Sequence, residues 1–423
     1  MSDLLLENVR LPSGEETHLR IEGGVIREVS PRARPTAGMA REDGGGLLVL
    51  PGGIDMHVHF RTPGGEHKET LVTGGRAAVK GGITTCADMP NSSPRTTTVA
   101  ALREKAALGR EAPCNLLFNF GAEPDNLAEV RAAAGHPQVK ALKIYLGPST
   151  GQGGLAPAAA AEHFRQAGAL GLPVMVHAED MDIIAADDGR YPHDARHHGD
   201  LRSLAAELAA VDAALALARA HGVRLYLAHV TSARVVERAA ASGLAGAICT
   251  EVCPHHLLLA TEDIAPPLEN RYKVNPPLRP EAERAALMAQ LPAGIDVLGS
   301  DHAPHTLAEK EAPYDEAPSG IPGVEYLYPL AIDWWRRGRI TLERLLALTS
   351  GNAARFFGLT KGALAPGADA DLVLVDPDAE WVIGAGDDRV ASKCGWTLYG
   401  GRRLRGRIER TLVAGRVVWR RGG

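Results

Sequence analysis

The sequence predicts an α/β protein: a (β/α)8 TIM-like barrel with a small β-sandwich domain built from both chain termini. Two observations carry this reading. Eight short apolar runs alternate with helix-forming stretches through the middle of the chain, and both ends carry alternating runs that look like paired strands. Strands that alternate with helices form a parallel sheet buried on both faces. The expected bounds are residues 1–50 with 362–423 for the β domain and 51–361 for the barrel.

Taken in order, HLRIEGGVIREV places alternating runs on either side of Gly23 and Gly24, a two-residue hairpin signal. The runs GGIDMHVHF, ITTCADMP, NLLFNFG, VKALKIYL, PVMVHAE, RLYLAHV, GAICTEVCP and DVLGSDHAP follow. Helical candidates such as VAALREKAALG and LRSLAAELAAVDAALALARAHG lie between them. A doubly wound sheet is the rival, but it would usually show GxGxxG after its first strand, and none is there. ADLVLVD and IERTLVAGRVVWR close the chain with further strand patterns, so the termini are expected to meet.

Composition bounds the function. Apolar residues make up 45% of the 423 and charged ones 23%, enough for a large core and too apolar for disorder. The 46 Lys and Arg against 51 Asp and Glu give a net charge of -5, with no general pull towards nucleic acid or an anionic membrane. No stretch approaches the roughly 20 uncharged apolar residues of a membrane span. MSDLLLENVR does not read as a secretion signal, and the five scattered cysteines read as reduced thiols, so a cytoplasmic protein is expected. The 16 histidines stand out.

In such a barrel the active site lies at the C-terminal ends of the strands. His57 and His59 end the first run, Lys143 lies in the fourth, and His177, His229 and Asp301 close the fifth, sixth and eighth. Two histidines spaced by one residue share a strand face, so one ion can take both. A single buried histidine is ordinarily a hydrogen-bonded core residue, but five strand ends carrying such groups are poorly explained that way. Four His and an Asp exceed the three protein ligands of a tetrahedral catalytic zinc, which suggests two ions. Lys143 can bridge them only if CO₂ converts its amine to a carbamate; unmodified, it is a core or salt-bridging residue.

These segments resemble the cyclic amidohydrolases, and more narrowly their metal-dependent microbial dihydroorotase branch. The resemblance rests on Asp55-Met-His57-Val-His59-Phe60-Arg61 with Lys68-Glu69-Thr70, Asp88-Met-Pro-Asn91, Leu142-Lys143-Ile-Tyr-Leu146, Val176-His177-Ala-Glu179 and Ala228-His229-Val-Thr-Ser232. It continues through Pro254-His255-His256, Asn275-Pro-Pro-Leu-Arg279, Asp301-His-Ala-Pro-His305, the segment from Ser319 to Glu325, and Ser392-Lys-Cys-Gly-Trp396. The resemblance implies that His57, His59 and Asp301 hold one ion, and that carbamylated Lys143 bridges it to a second on His177 and His229. Zinc is the first expectation; cobalt and manganese would also suit these ligands. Arg61, Asn91 and His305 would grip a substrate carboxylate and Asn275 the ring, with backbone groups of Ser319 and Gly320. His59 and Phe60 also belong to the implied substrate-binding set. Thr62 departs from the Glu common in the family.

The implied reaction is reversible hydrolysis of dihydroorotate to N-carbamoyl-L-aspartate in pyrimidine biosynthesis. Two ions would activate water and polarise the carbonyl, and Asp301 would carry the proton. Allantoinase and dihydropyrimidinase are rivals on the same scaffold; Arg61 argues against both, since a neutral ring leaves a buried guanidinium unpaired. A non-catalytic homologue that scaffolds aspartate transcarbamoylase is a rival of another class, and it would be expected to have lost ligands. The resemblance leaves open a homo-oligomer and a complex with aspartate transcarbamoylase.

Other features have plainer readings. Gly147 to Gly154 lacks the ending of a phosphate loop and reads as a surface loop or a lid, through which Ser149 or Thr150 could reach substrate. Arg402, Arg403, Arg405, Arg407 and Arg410 read as a solvated edge of the terminal domain. His197-His198 is expected in an exposed loop, and His255-His256 as support behind the metal ligands.

Overall fold

The computed structural model describes residues 3–149, 154–386 and 388–422. The N-terminal strands are β1 (Leu4–Arg10), β2 (Glu16–Glu22), β3 (Val25–Ser30), β4 (Ala40–Asp43) and β5 (Leu48–Pro51). The barrel strands are β6 (Gly53–Val58), β7 (Ile83–Asp88), β8 (Asn115–Gly121), β9 (Val139–Tyr145), β10 (Val174–His177), β11 (Leu225–Leu227), β12 (Ile248–Val252) and β13 (Val297–Leu298). The C-terminal strands are β14 (Leu372–Val382), β15 (Arg403–Val413) and β16 (Arg416–Arg420).

Each of the eight apolar runs contains one barrel strand. Neighbours from β6 to β13 pair in parallel. A parallel bridge between Val58 and His302 joins the two ends of the sheet. The last strand has two residues, and Asp301 follows it with a left-handed φ of 43°. A helix follows each strand before the next, from Leu71–Lys80 after β6 to Val324–Arg336 after β13.

The terminal strands form one mixed sheet in the order β16-β15-β14-β5-β1-β2-β3, with β4 beside β1. Gly23 and Gly24 make the β2–β3 turn with φ of 61° and 82°, the left-handed geometry such a turn needs. Alternation gives the sheet two buried faces. Leu372 and Leu374 join Leu4, Leu6, Leu19 and Ile21 in one apolar cluster. Val373 and Val375 face the barrel's own shell. Among the described residues β16 pairs with β15 only from Arg410 to Val413, so Arg403, Arg405 and Arg407 border β14 alone and lie on an edge, as expected. Arg405 pairs with Glu380, Arg407 with Glu409 and Arg410 with Glu42.

Strand β6 carries the feature that aims the site. Ile54 and Met56 point into the barrel, whereas Val58 and Phe60 join the outer shell. The change of parity falls at a register shift: three steps from Asp55 to Val58 match two from Cys86 to Asp88. Such a bulge re-aims side chains, and here it turns His57 and His59 inward above the barrel core.

Candidate active site

A cavity at the C-terminal ends of the strands is lined by His57, His59, Arg61, Asn91, Tyr145, Ser149, His177, His229, Asn275, Asp301, Ala303, Ser319 and Gly320. Eleven of the residues singled out from the sequence, Ser149 among them, thus meet in one place. Lys143 lies just beneath, fully buried. His305 lines an adjoining cavity that shares Arg61 and Asn91. Thr150 lies outside the described residues. Arg61, His229 and Asp301 have φ of 59°, 40° and 43°, left-handed geometry that costs energy in a non-glycine residue and tends to gather at functional sites.

The first ligand set is compact. Asp301 Oδ1 lies 3.3 Å from His57 Nε2 and 3.1 Å from His59 Nε2. Two donors each about 2.1 Å from a tetrahedral ion would stand roughly 3.4 Å apart, so this spacing fits a shared cation. The outer nitrogens are fixed as such a site requires. His57 Nδ1 donates to Glu251 Oε1 at 2.8 Å, and His59 Nδ1 to Asn91 Oδ1 at 2.6 Å, leaving each Nε2 lone pair directed inward. Burial would raise the Asp301 carboxyl, but His57 and His59 hold it well below the usual range, so it stays anionic.

The second set stands alongside. His177 Nδ1 and His229 Nε2 face each other at 2.9 Å. His177 Nε2 lies 2.8 Å from Glu179, which Arg202 clamps from the other side. Burial disfavours the Glu179 anion, yet Arg202 and His177 bring its pKa down to about 2. The Lys143 ammonium has no hydrogen-bond partner among the described residues, and burial lowers its pKa to about 8. A buried amine with no acceptor is costly as a cation and suits conversion to an anionic carbamate facing metal ligands. The residues present therefore fit a divalent centre.

The side of the cavity at Arg61 is basic. Arg61 is held by Pro304 O at 3.1 Å, with His305 Nε2 3.0 Å from its NH2 group, and it has no acidic partner among the described residues. Burial, with Arg61 and Lys68 beside it, keeps His305 neutral. Its Nδ1 lies 3.0 Å from Lys68 Nζ and its Nε2 lies 3.1 Å from Ser319 O. Trp396 Nε1 donates to His305 O at 2.8 Å, so the C-terminal segment steadies this loop.

Several expectations need correcting. Phe60 does not reach the cavity: strand alternation turns its ring into the outer shell, where it packs edge-on against His302. The Gly320 N–H is already given to Lys273 O at 2.9 Å, which leaves its carbonyl for a ligand. His198 is buried, not exposed. Its Nδ1 accepts from Tyr314 and its Nε2 donates to Asn275 Oδ1 at 2.9 Å, which orients the Asn275 amide at the cavity. His256 supports the same loop through Pro276 O at 3.0 Å. Glu251, Tyr226, Arg202 and His198 were missed by sequence reasoning because their partners are distant in the chain. The one usable signal was an acid inside the apolar run GAICTEVCP.

The chain resembles known proteins along nearly its whole length. The model of the Amidohydrolase family matches residues 48–418. A dihydroorotase from Halobacterium salinarum is 41% identical over 88% of this chain and 86% of its own length. One from Bacillus caldolyticus is 37% identical over 96% and 95%. Among solved structures, an L-hydantoinase (dihydropyrimidinase) from Arthrobacter aurescens superposes with a TM-score of 0.92 at 28% identity, covering 100% of this chain and 97% of that one. A dihydropyrimidinase from Brevibacillus agri gives 0.89 at 25% identity, covering 99% and 95%.

Proposed function

The chain belongs to the amidohydrolase family, and from that premise we propose that it is a dihydroorotase, interconverting dihydroorotate and N-carbamoyl-L-aspartate. The observation that carries this choice over a hydantoinase or dihydropyrimidinase is Arg61: a buried guanidinium beside the ligand cluster with no acid to pair it. A ring carboxylate supplies the missing anion, and a forked guanidinium suits it. Curated relatives at 35–41% identity carry the dihydroorotase name.

His57, His59 and Asp301 would hold one divalent ion and His177 and His229 a second, with Lys143 as a carbamate between them. Zinc suits these nitrogen and oxygen donors. Bound there, two ions would polarise the ring carbonyl and make water a better nucleophile. The chain's own groups do the rest. Arg61, with Asn91 and His305, fixes the substrate carboxylate and so sets the ring's distance from Asp301. The Asn275 amide and the Gly320 carbonyl meet the ring's polar edge. Asp301 takes a proton from the attacking water and delivers it to the leaving ring nitrogen. The ring C–N bond breaks, the water oxygen ends in a new carboxylate, and the nitrogen becomes the carbamoyl NH₂. Cyclisation runs the same proton transfers backwards.

Residues 1–50 with 362–423, and 51–361, are taken as the two domains of this enzyme. A cytoplasmic setting accords with Cys86, Cys114, Cys249 and Cys253 all being buried free thiols. No helix among the described residues is long and apolar enough to cross a membrane. A homo-oligomer and docking to aspartate transcarbamoylase are further expectations of this reading. Metal analysis joined to turnover of dihydroorotate, dihydrouracil and allantoin tests the whole. Dihydroorotate should be much the best substrate, and fully active protein without bound metal would overturn the reading.

A further inference from the structure

A second cluster of metal-capable atoms lies at the end of β12, outside the ligand sets above. Cys253, His255 and His256 each bring one donor atom to within 4.8 Å of the others, and all three are buried. Two of them have unsatisfied nitrogens. Neither ring nitrogen of His255 has a hydrogen-bond partner among the described residues, although the residue is only 1% exposed. A neutral imidazole carries one N–H and one lone pair, and burying such groups unpaired is costly. His256 is half satisfied in the manner of a metal ligand. Its Nε2 donates to Pro276 O at 3.0 Å, which fixes the tautomer and leaves Nδ1 as an unpartnered lone pair. Burial keeps both rings neutral, the form that ligates.

We propose that Cys253, His255 and His256 form a third metal site, separate from the catalytic ligands, that takes a zinc-like cation through one sulfur and two nitrogens. A thiolate with two imidazoles suits zinc and its cobalt and cadmium substitutes, and excludes magnesium and calcium. Three protein ligands leave one position open. Binding replaces the Cys253 thiol proton, which leaves to solvent as the sulfur–metal bond forms; no electron is transferred. The site is a brace. Cys253 follows Glu251, the acid that holds His57, by two residues, and His256 reaches the Asn275 loop through Pro276. One ion would therefore tie the end of β12, the helix Pro254–Leu258 and the substrate loop together. The proposal is independent of which cyclic amide the enzyme opens.

The test uses the purified full chain, stripped with a chelator and titrated with Co²⁺. The catalytic ligands offer only nitrogen and oxygen, so a near-ultraviolet thiolate-to-cobalt absorption band reports a cysteine. The band should saturate with about one ion per chain beyond the catalytic ones. It should vanish in Cys253→Ser, with metal stoichiometry falling by the same amount. A band that persists in Cys253→Ser, or no band in the wild type, overturns the proposal. A second measurement needs no variant. X-ray absorption at the zinc edge of the zinc-loaded wild type should require a sulfur neighbour at about 2.3 Å, and a shell of nitrogen and oxygen alone would equally rule the site out.

Discussion

Glu251 Oε1 accepts a hydrogen bond from His57 Nδ1 at 2.8 Å, across 194 residues of sequence. The same oxygen receives the His229 backbone N–H at 2.8 Å, and the other oxygen receives the Tyr226 hydroxyl at 2.7 Å. One buried acid thus positions a ligand from each proposed metal set. Partners that orient metal ligands are typically worth 10–100-fold in affinity or activity. Glu251→Gln should therefore lower metal content and turnover by roughly that factor, with Tm changed little. Unchanged metal binding in the variant would reduce Glu251 to a packing role.

Lys143 Nζ has no hydrogen-bond partner among the described residues and lies 5.0 Å from the centroid of the Tyr145 ring that lines the cavity, so its replacement should be felt there first. Lys143→Ala is expected to retain about one ion of two and to lose nearly all activity. Added short carboxylic acids should restore a little by filling the space of a carbamate. A wild-type mass that shows a bare lysine in active, metal-loaded enzyme would contradict the bridge.

The barrel was legible because its strands are buried on both faces and read as uninterrupted apolar runs. The cluster of proposed ligands was legible because strand geometry forces His57 and His59 to one side and places His177 and His229 at strand ends. What stayed hidden depends on contacts between distant segments. Nothing near His198 in sequence signals that Tyr314 and Asn275 will close around it. Phe60 misled for a related reason: adjacency to His59 and Arg61 suggests a shared site, whereas strand alternation sends it to the other face.

Trp396 joins the C-terminal segment to the His305 loop, proposed to hold the substrate carboxylate, through its bond to His305 O. Ser392, four residues earlier, reaches Glu69 at 2.5 Å, so the segment is anchored at two points. Trp396→Phe keeps most of the volume and removes one hydrogen bond, worth roughly 0.5–1.5 kcal/mol. Its KM for dihydroorotate should rise by a few-fold while kcat holds. Equal loss in kcat would mean that the segment supports the reacting groups as well.

His198 supplies a pH dependence of stability. Burial lowers its pKa to about 3 in the folded chain, while the unfolded value is about 6.5. The unfolded chain therefore binds the extra proton first as pH falls. The contribution is fully present above about pH 6.5 and is lost progressively from there towards pH 3. Within that window the slope from this residue approaches 1.4 kcal/mol per pH unit. His198→Gln can keep the bond to Asn275 and should flatten the acid limb of a stability-against-pH curve by about one proton. Parallel curves for wild type and variant would show that His198 is already charged in the folded chain.

In the proposed reaction Arg61 sets the choice of substrate. Its charge cannot be removed at working pH, no carboxylate of the chain pairs with it among the described residues, and it shares a cavity with His57, His59 and Asp301. A permanent cation beside two metal ions is favourable only when an anion joins them. Breaking one partner of a buried, hydrogen-bonded charge pair costs about 2–5 kcal/mol. Arg61→Met should therefore lower kcat/KM for dihydroorotate by that amount, on the order of 30-fold to several thousand-fold, largely through KM. Dihydrouracil has no carboxylate to lose, so its weak hydrolysis should change little. The ratio of the two substrates is the informative quantity, because general damage to the site lowers both. If the ratio stays constant, or if the wild type prefers dihydrouracil or allantoin, Arg61 is not reading a carboxylate and the hydantoinase-like reading takes its place.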